Sequence, residues 1–158
     1  MIREFAHGDC DCVLALLVAT GNFNAAEIAV AKELMDIIST SPGQTDYYGF
    51  VHAGTSGELA GFLIIGPVPI TTGTWDMYWM AVHPRCYGTG VAQELDSFAE
   101  AFVRERGGYW IILETSGQAG YARTRRFFAK QRYRELARIP DFYKPGDDMI
   151  MFGKRLTG

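Results

Sequence analysis

With 158 residues, of which 48% are hydrophobic and 21% charged, the chain has the length of one ordinary domain, 1–158, and enough apolar side chains for a single core. Its net charge of −3 gives no bulk attraction to nucleic acid or an anionic membrane, and no apolar run approaches the roughly 20 residues of a membrane span, so neither is an expected partner. Cys10, Cys12 and Cys86 fit neither a disulfide framework nor a paired zinc spacing, and Met1-Ile2-Arg3-Glu4 does not open an export signal, so reduced thiols, no metal and a cytoplasmic location are expected.

In chain order, Ile2 to Phe5 suits an edge strand, and Asp9 is placed to cap a helix bearing Val13, Leu14, Leu16 and Leu17 that stops at Gly21. A second helix starts at Asn24-Ala25-Ala26-Glu27, which has capping-box spacing. Ile28, Ala31, Leu34, Met35 and Ile38 then recur at helical spacing up to Ser41-Pro42-Gly43. Tyr47 to Ala53 and Leu59 to Gly66 are apolar runs joined by Gly54-Thr55-Ser56-Gly57, a hairpin pattern. Pro67 and Pro69 end it. Thr74 to Val82 is an aromatic strand, and Val91, Leu95, Phe98, Ala99 and Phe102 mark a helical face that ends at Gly107-Gly108. Trp110 to Leu113 reads as a strand buried on both sides and finishes at Glu114-Thr115-Ser116. Tyr121 to Gln131 suits a basic helix. Glu135 to Ile139 and Met149 to Lys154 are two closing strands, joined by a loop from Pro140 to Asp148 with a turn at Pro145-Gly146. The order β-α-α-β-β-β-α-β-α-β-β predicts an α/β fold with a mixed sheet.

The most informative stretch runs from Ala81-Val82-His83-Pro84 through Arg85 and Cys86 to Tyr87-Gly88-Thr89-Gly90-Val91-Ala92. Here a strand passes through glycines into a helix. The first turn of a helix has N–H groups with no intrahelical partner and carries the positive end of the helix dipole. Glycines at Gly88 and Gly90 let the backbone close around a phosphate and adopt positive φ.

These residues resemble the central motif of the Gcn5-related N-acetyltransferase (GNAT) superfamily, a strand ending in A-V-x-P followed by R/Q-x-x-G-x-G/A. Glu58-Leu59-Ala60-Gly61-Phe62-Leu63-Ile64-Ile65-Gly66 is similar to the family's third strand, and the order of elements matches over essentially the whole chain. Tyr87 stands where the family has Arg or Gln. The resemblance implies a mostly antiparallel sheet of six to seven strands flanked by four helices, with its central strands splayed. It also implies transfer of acetyl from acetyl-CoA to a primary amine of a small molecule or peptide. By the same resemblance, the backbone of Met80, Ala81 and Val82 pairs with the pantetheine arm, and amides from Tyr87, Gly88, Thr89, Gly90, Val91 and Ala92 hold the pyrophosphate.

Direct transfer needs a neutral amine, and an alkylamine of pKa near 10 is mostly protonated at neutral pH, so a general base is required. Some family members carry a glutamate on the central strand, six residues before the Val of A-V; that position here is Asp76. Glu114, at the end of the facing strand, is the competing base. Its structural alternative is a charge that favours the start of the next helix. The tyrosine that many members use to protonate the thiolate corresponds to Phe128, so Tyr121 and Tyr133 are the candidate acids, set against ordinary packing roles. Arg85 and the run from Arg123 to Arg134 include candidate partners for the coenzyme's ribose phosphate. Cys86 has no companion base for an acyl-cysteine route. The loop Asp141-Phe142-Tyr143-Lys144 and the residues Asn22 to Asn24 are expected at the acceptor, and a C-terminal edge strand is a candidate for pairing in a homodimer.

Two other readings compete. A dinucleotide-binding domain fails because Gln93 occupies the third glycine position of its fingerprint. A catalytically weakened acyl-CoA-binding sensor or partner subunit is motivated by Tyr87, Phe128 and the shorter Asp76.

Overall fold

The computed structural model describes residues 1–156. Its strands are β1 Ile2–Glu4, β2 Tyr48–Ala53, β3 Leu59–Pro67, β4 Thr74–Val82, β5 Trp110–Ser116, β6 Arg134–Lys144 and β7 Asp147–Arg155, and its helices are α1 Cys10–Thr20, α2 Ala25–Thr40, α3 Val91–Glu105 and α4 Ala122–Lys130. The strands form one seven-stranded mixed sheet in the order β1-β2-β3-β4-β5-β7-β6. The β4–β5 pair is parallel, whereas β1–β2, β2–β3, β5–β7 and β6–β7 are antiparallel. No described helix is long and apolar enough to cross a membrane.

The chain divides into two compact units, one made of Met1–Pro67 with Met77–Ala99, the other of Val68–Asp76 with the chain from Glu100 onward. In the first unit, Asn24 accepts from the Glu27 amide at 2.8 Å while Glu27 accepts from the Asn24 amide at 3.1 Å, the expected capping box. Gly21 ends α1 in the left-handed conformation. Val13, Leu16 and Leu17 of α1 and Ala31 and Met35 of α2 are buried with Val51, Phe62 and Ile64 of the sheet, which form the first core.

Asp9 occupies the N-cap position of α1, as expected, but its side chain does not cap the helix. Its carboxylate accepts from the Ala6 amide at 2.9 Å and from both terminal guanidinium nitrogens of Arg3 at 2.8 Å, so it makes no side-chain cap bond to α1. A charged partner and a local turn outcompete the helix amides.

In the second unit, Ile111, Leu113, Phe102, Val103, Phe128, Tyr133, Ile150 and Phe152 are buried. Two expectations are corrected here. β5 is not buried on both sides: Ile111, Leu113 and Thr115 are buried, but Trp110 and Ile112 are half-buried and Glu114 is exposed. In addition, the expected loop from Pro140 to Asp148 is mostly strand. β6 continues to Lys144, and only Pro145-Gly146 turn, with Lys144 paired to Asp147 and Gly146 at φ 83°. Pro140 is tolerated because β6 is an edge strand, so its missing N–H breaks no inner ladder. The register shifts between Ile139 and Lys144, and Asp141 takes φ 54° there. Asp141-Phe142-Tyr143-Lys144 is therefore the end of a strand.

Candidate active site

Between β4 and α3 the chain makes a single 3-10 turn, Pro84–Cys86. It is anchored to the sheet by the His83 amide, which donates to the Ala60 carbonyl at 2.8 Å. Gly61 allows α3 to start close to β3. A Cβ there would stand 2.7 Å from Leu95 Cδ1 and 3.1 Å from Val91 Cγ1.

The amides of the loop divide into two sets. Those of Tyr87 and Thr89 donate to the carbonyls of Pro84 and Cys86 at 3.1 and 3.3 Å, and the Thr89 hydroxyl also donates to Cys86. These bonds set the shape of the loop. The first helical bond is from the Glu94 amide to the Gly90 carbonyl at 2.9 Å, so the amides of Gly90, Val91, Ala92 and Gln93 lie ahead of the intrahelical ladder and at the positive end of α3. Gln93 was missed from sequence, although its place in the first turn follows from the helix start. Gly88 and Gly90 have φ 76° and 93°, and no atom lies within 4 Å of where a Cβ would stand on either. Their conformation alone requires glycine, and the space over them is open. Met80, Ala81 and Val82 form the end of β4 that leads into this loop.

Glu94, one turn into α3, is hydrogen-bonded to His52, with Oε2 2.7 Å from Nε2. A cavity of about 500 Å³ lined by Ile2, Gly90, Gln93, Glu94, Ser97 and Phe98 reaches the same end of the helix.

The two candidate catalytic carboxylates, Asp76 and Glu114, lie in the second unit. β4 pairs with β5 through Thr74, Trp75 and Asp76 against Trp110, Ile111 and Ile112. Asp76 is therefore level with Ile112 and shares its face of the sheet with Glu114, two residues further along β5. Burial raises the Asp76 carboxyl pKa to about 7, and the negative charge of Glu114 adds to the effect. Strand pairing thus brings together the two carboxylates that the sequence offered as competing bases.

The aromatic candidates separate. Tyr121 is half-buried immediately before α4, at the end of a 3-10 turn. Tyr133 is buried, with its ring centroid 5.1 Å from that of Phe128 and Lys154 Nζ 4.5 Å above it, which is a packing environment. Phe128 is itself buried, against Phe127 and Tyr133. Arg125 donates at 2.8 Å to the carbonyls of both Ser116 and Gln118, tying α4 to the end of β5. Arg85 points its guanidinium at the Leu59 carbonyl, 3.5 Å away.

A sequence model of the acetyltransferase (GNAT) family matches residues 22–132. The chain belongs to the GNAT family. A Desulfovibrio desulfuricans protein assigned to the GNAT acetyltransferases is 32% identical, with a TM-score of 0.94 and 99% of each chain covered. The GNAT fold also superposes on an aminoglycoside 6'-N-acetyltransferase crystallised with coenzyme A, with 18% identity, a TM-score of 0.77 and 100% of this chain and 98% of that one covered. The ribosomal-protein-S18-alanine N-acetyltransferase of Escherichia coli gives 17% identity, a TM-score of 0.78 and coverage of 100% and 94%. No curated protein matches the chain.

Proposed function

We propose that this GNAT protein transfers acetyl from acetyl-CoA directly to a primary amine, with Asp76 as general base. The observation that carries the reading is the Asp76 carboxyl itself. Held at a pKa of about 7, it is ionised often enough near neutrality to accept a proton and basic enough to take one from an ammonium or through a water. A surface aspartate near pH 4 would be a far weaker base.

In this reading the coenzyme's pyrophosphate is held by the amides of Gly88, Gly90, Val91 and Ala92, joined by Gln93. The acyl and pantetheine groups run along Met80, Ala81 and Val82, as the family resemblance implies. Tyr87 and Thr89 contribute loop shape more than donors. The ammonium loses a proton to Asp76, its lone pair forms the new C–N bond to the acetyl carbon, the nitrogen sheds its second proton to solvent, and the C–S bond breaks to release the coenzyme as a thiolate. With Phe128 buried where the family has its acid, the thiolate takes its proton from solvent or from Tyr121. A thiol of pKa about 8.5 is a tolerable leaving group without strong acid assistance. Glu114 raises the basicity of Asp76 and attracts a cationic acceptor.

The test is release of free thiol from acetyl-CoA across a panel of amines. Asp76→Asn is expected to lower kcat by about 10²–10⁴ while coenzyme A still raises its melting temperature. Full turnover in that variant removes Asp76 as the base. Thermal stabilisation by the coenzyme with no turnover of any amine by the unaltered protein establishes the binding-module reading instead.

A further inference from the structure

The face of the second unit that carries Asp76 and Glu114 has a composition of its own. Glu114 is opposite Met151 and Ile112 is opposite Gly153 across the β5–β7 ladder, while Met151 and Met149 are in turn opposite Ala137 and Ile139 of β6. Alternation therefore puts Ile112, Glu114, Met151 and Ile139 on one side of the sheet. Leu136 joins them: the side-chain space above Gly153 is filled by Leu136 Cδ1, with Trp110 Cζ3 close to the same point. The opposite side of these strands takes the packing of the unit's helices. There Lys154, opposite Ile111, pairs with Glu100 of α3, and Ile150 and Phe152 line a groove with Ala122 and Ala129 of α4.

Four apolar side chains on the Glu114 side are accessible, Leu136 at 46% and Ile139 at 44% exposed with Ile112 and Met151 half-buried, whereas Met149, further along β7 on the same side, is buried. An exposed apolar surface with two carboxylates set at one margin is complementary to a cation attached to an apolar body. Arg134 and Arg155 enter the same face level with Gly153 and Trp110. Arg155 is stacked over Tyr109 and Trp110, with its guanidinium carbon 5.1 and 5.7 Å from the ring centres. At the usual strand spacing Arg134 on β6 is three strands, about 14 Å, from the strand of Asp76, and Arg155 on β7 is two strands, about 10 Å, with its guanidinium held over the Tyr109 and Trp110 rings. A bound cation is therefore drawn to the Asp76–Glu114 margin.

We propose that the acceptor is a primary amine carried on an apolar, largely hydroxyl-free body, which lies across Ile112 and Met151 toward Leu136 and Ile139 with its nitrogen at Asp76 and Glu114. This rests on the acetyltransfer reading above and narrows its substrate class. A polyhydroxylated aminosugar is disfavoured on this surface because each hydroxyl set against Met151 or Ile139 would exchange water for a partner that cannot hydrogen-bond. An aliphatic or aromatic body about 10 Å long, the width of two strand spacings, spans from β5 to β6.

The experiment compares 4-phenylbutylamine with kanamycin as acceptors at saturating acetyl-CoA, reading thiol release, for the unaltered protein and for Met151→Gln and Ile139→Ser. The expected result is a kcat/KM at least a hundredfold higher for 4-phenylbutylamine. Each variant should raise the KM for that amine about tenfold and leave the KM for acetyl-CoA unchanged. Ile139 is exposed, so its variant keeps the test valid if Met151→Gln folds poorly. Equal or better use of kanamycin overturns this substrate class while leaving acetyltransfer intact. Coenzyme binding without turnover of either amine overturns both. An unchanged KM in both variants overturns the seat. So does sedimentation showing a dimer that Ile139→Glu converts to monomer with no change in amine KM, because the face is then a subunit contact.

Discussion

An aspartate in water ionises near pH 4, and Asp76 holds its proton to about pH 7 because it is withdrawn from solvent beside Glu114. This makes it a base suited to neutral pH, and it also gives a direction for stability. Its folded pKa lies above its unfolded value, so between about pH 4 and 7 the folded state binds more protons than the unfolded one, and stability falls as pH rises through that window. Asp76→Asn removes the half-buried charge. Its melting temperature should gain on that of the unaltered protein between pH 4 and pH 8, as thermal melts across that range would show. Glu114→Gln removes the neighbouring charge but not the burial, which is the larger cause. The acidic limb of the pH profile of kcat/KM should therefore move to lower pH without reaching that of a free aspartate. The sequence named both residues as rivals for one role. That they act on each other follows from register, Asp76 level with Ile112, and register between distant segments is not written in either strand.

At the scale of elements, glycine patterning made the phosphate loop legible, while the loop's hydrogen bonds decided which amides are available. Gly90 at φ 93° faces open space, so Gly90→Ala introduces no clash within the protein, only backbone strain on the order of 1–3 kcal/mol. We expect the Kd for coenzyme A, measured by calorimetry, to rise tenfold or more, with a lowered melting temperature. A coenzyme affinity that does not change would place the pyrophosphate elsewhere. The capping box of α2 was equally legible, because both of its partners lie within four residues. Asp9 does stand at the N-cap position of α1, but its carboxylate had a choice between helix amides and Arg3, and a bidentate ion pair with Arg3 wins. The strand through Pro140 was hidden for a different reason. Proline argues against a strand except at an edge, and only the sheet order shows β6 to be one.

For the whole molecule, two compact units share two continuous elements, since both β4 and α3 contribute residues to each. Neither unit retains all its elements if the other unfolds. Scanning calorimetry should therefore give one transition, with calorimetric and van't Hoff enthalpies equal; two resolved transitions would show that the shared strand and helix do not couple them. The sequence by itself determined the order of elements, the glycine loop at the start of α3 and the GNAT family, because periodicity, caps and glycine positions are local and survive without neighbours. Only the tertiary structure decided that Asp76 and Glu114 share a face, that Glu114 on β5 is exposed, and that Tyr133 is buried against Phe128. Each of those depends on which strands pair and in what register, and burial, charge proximity and exposure are properties of segments far apart in the chain.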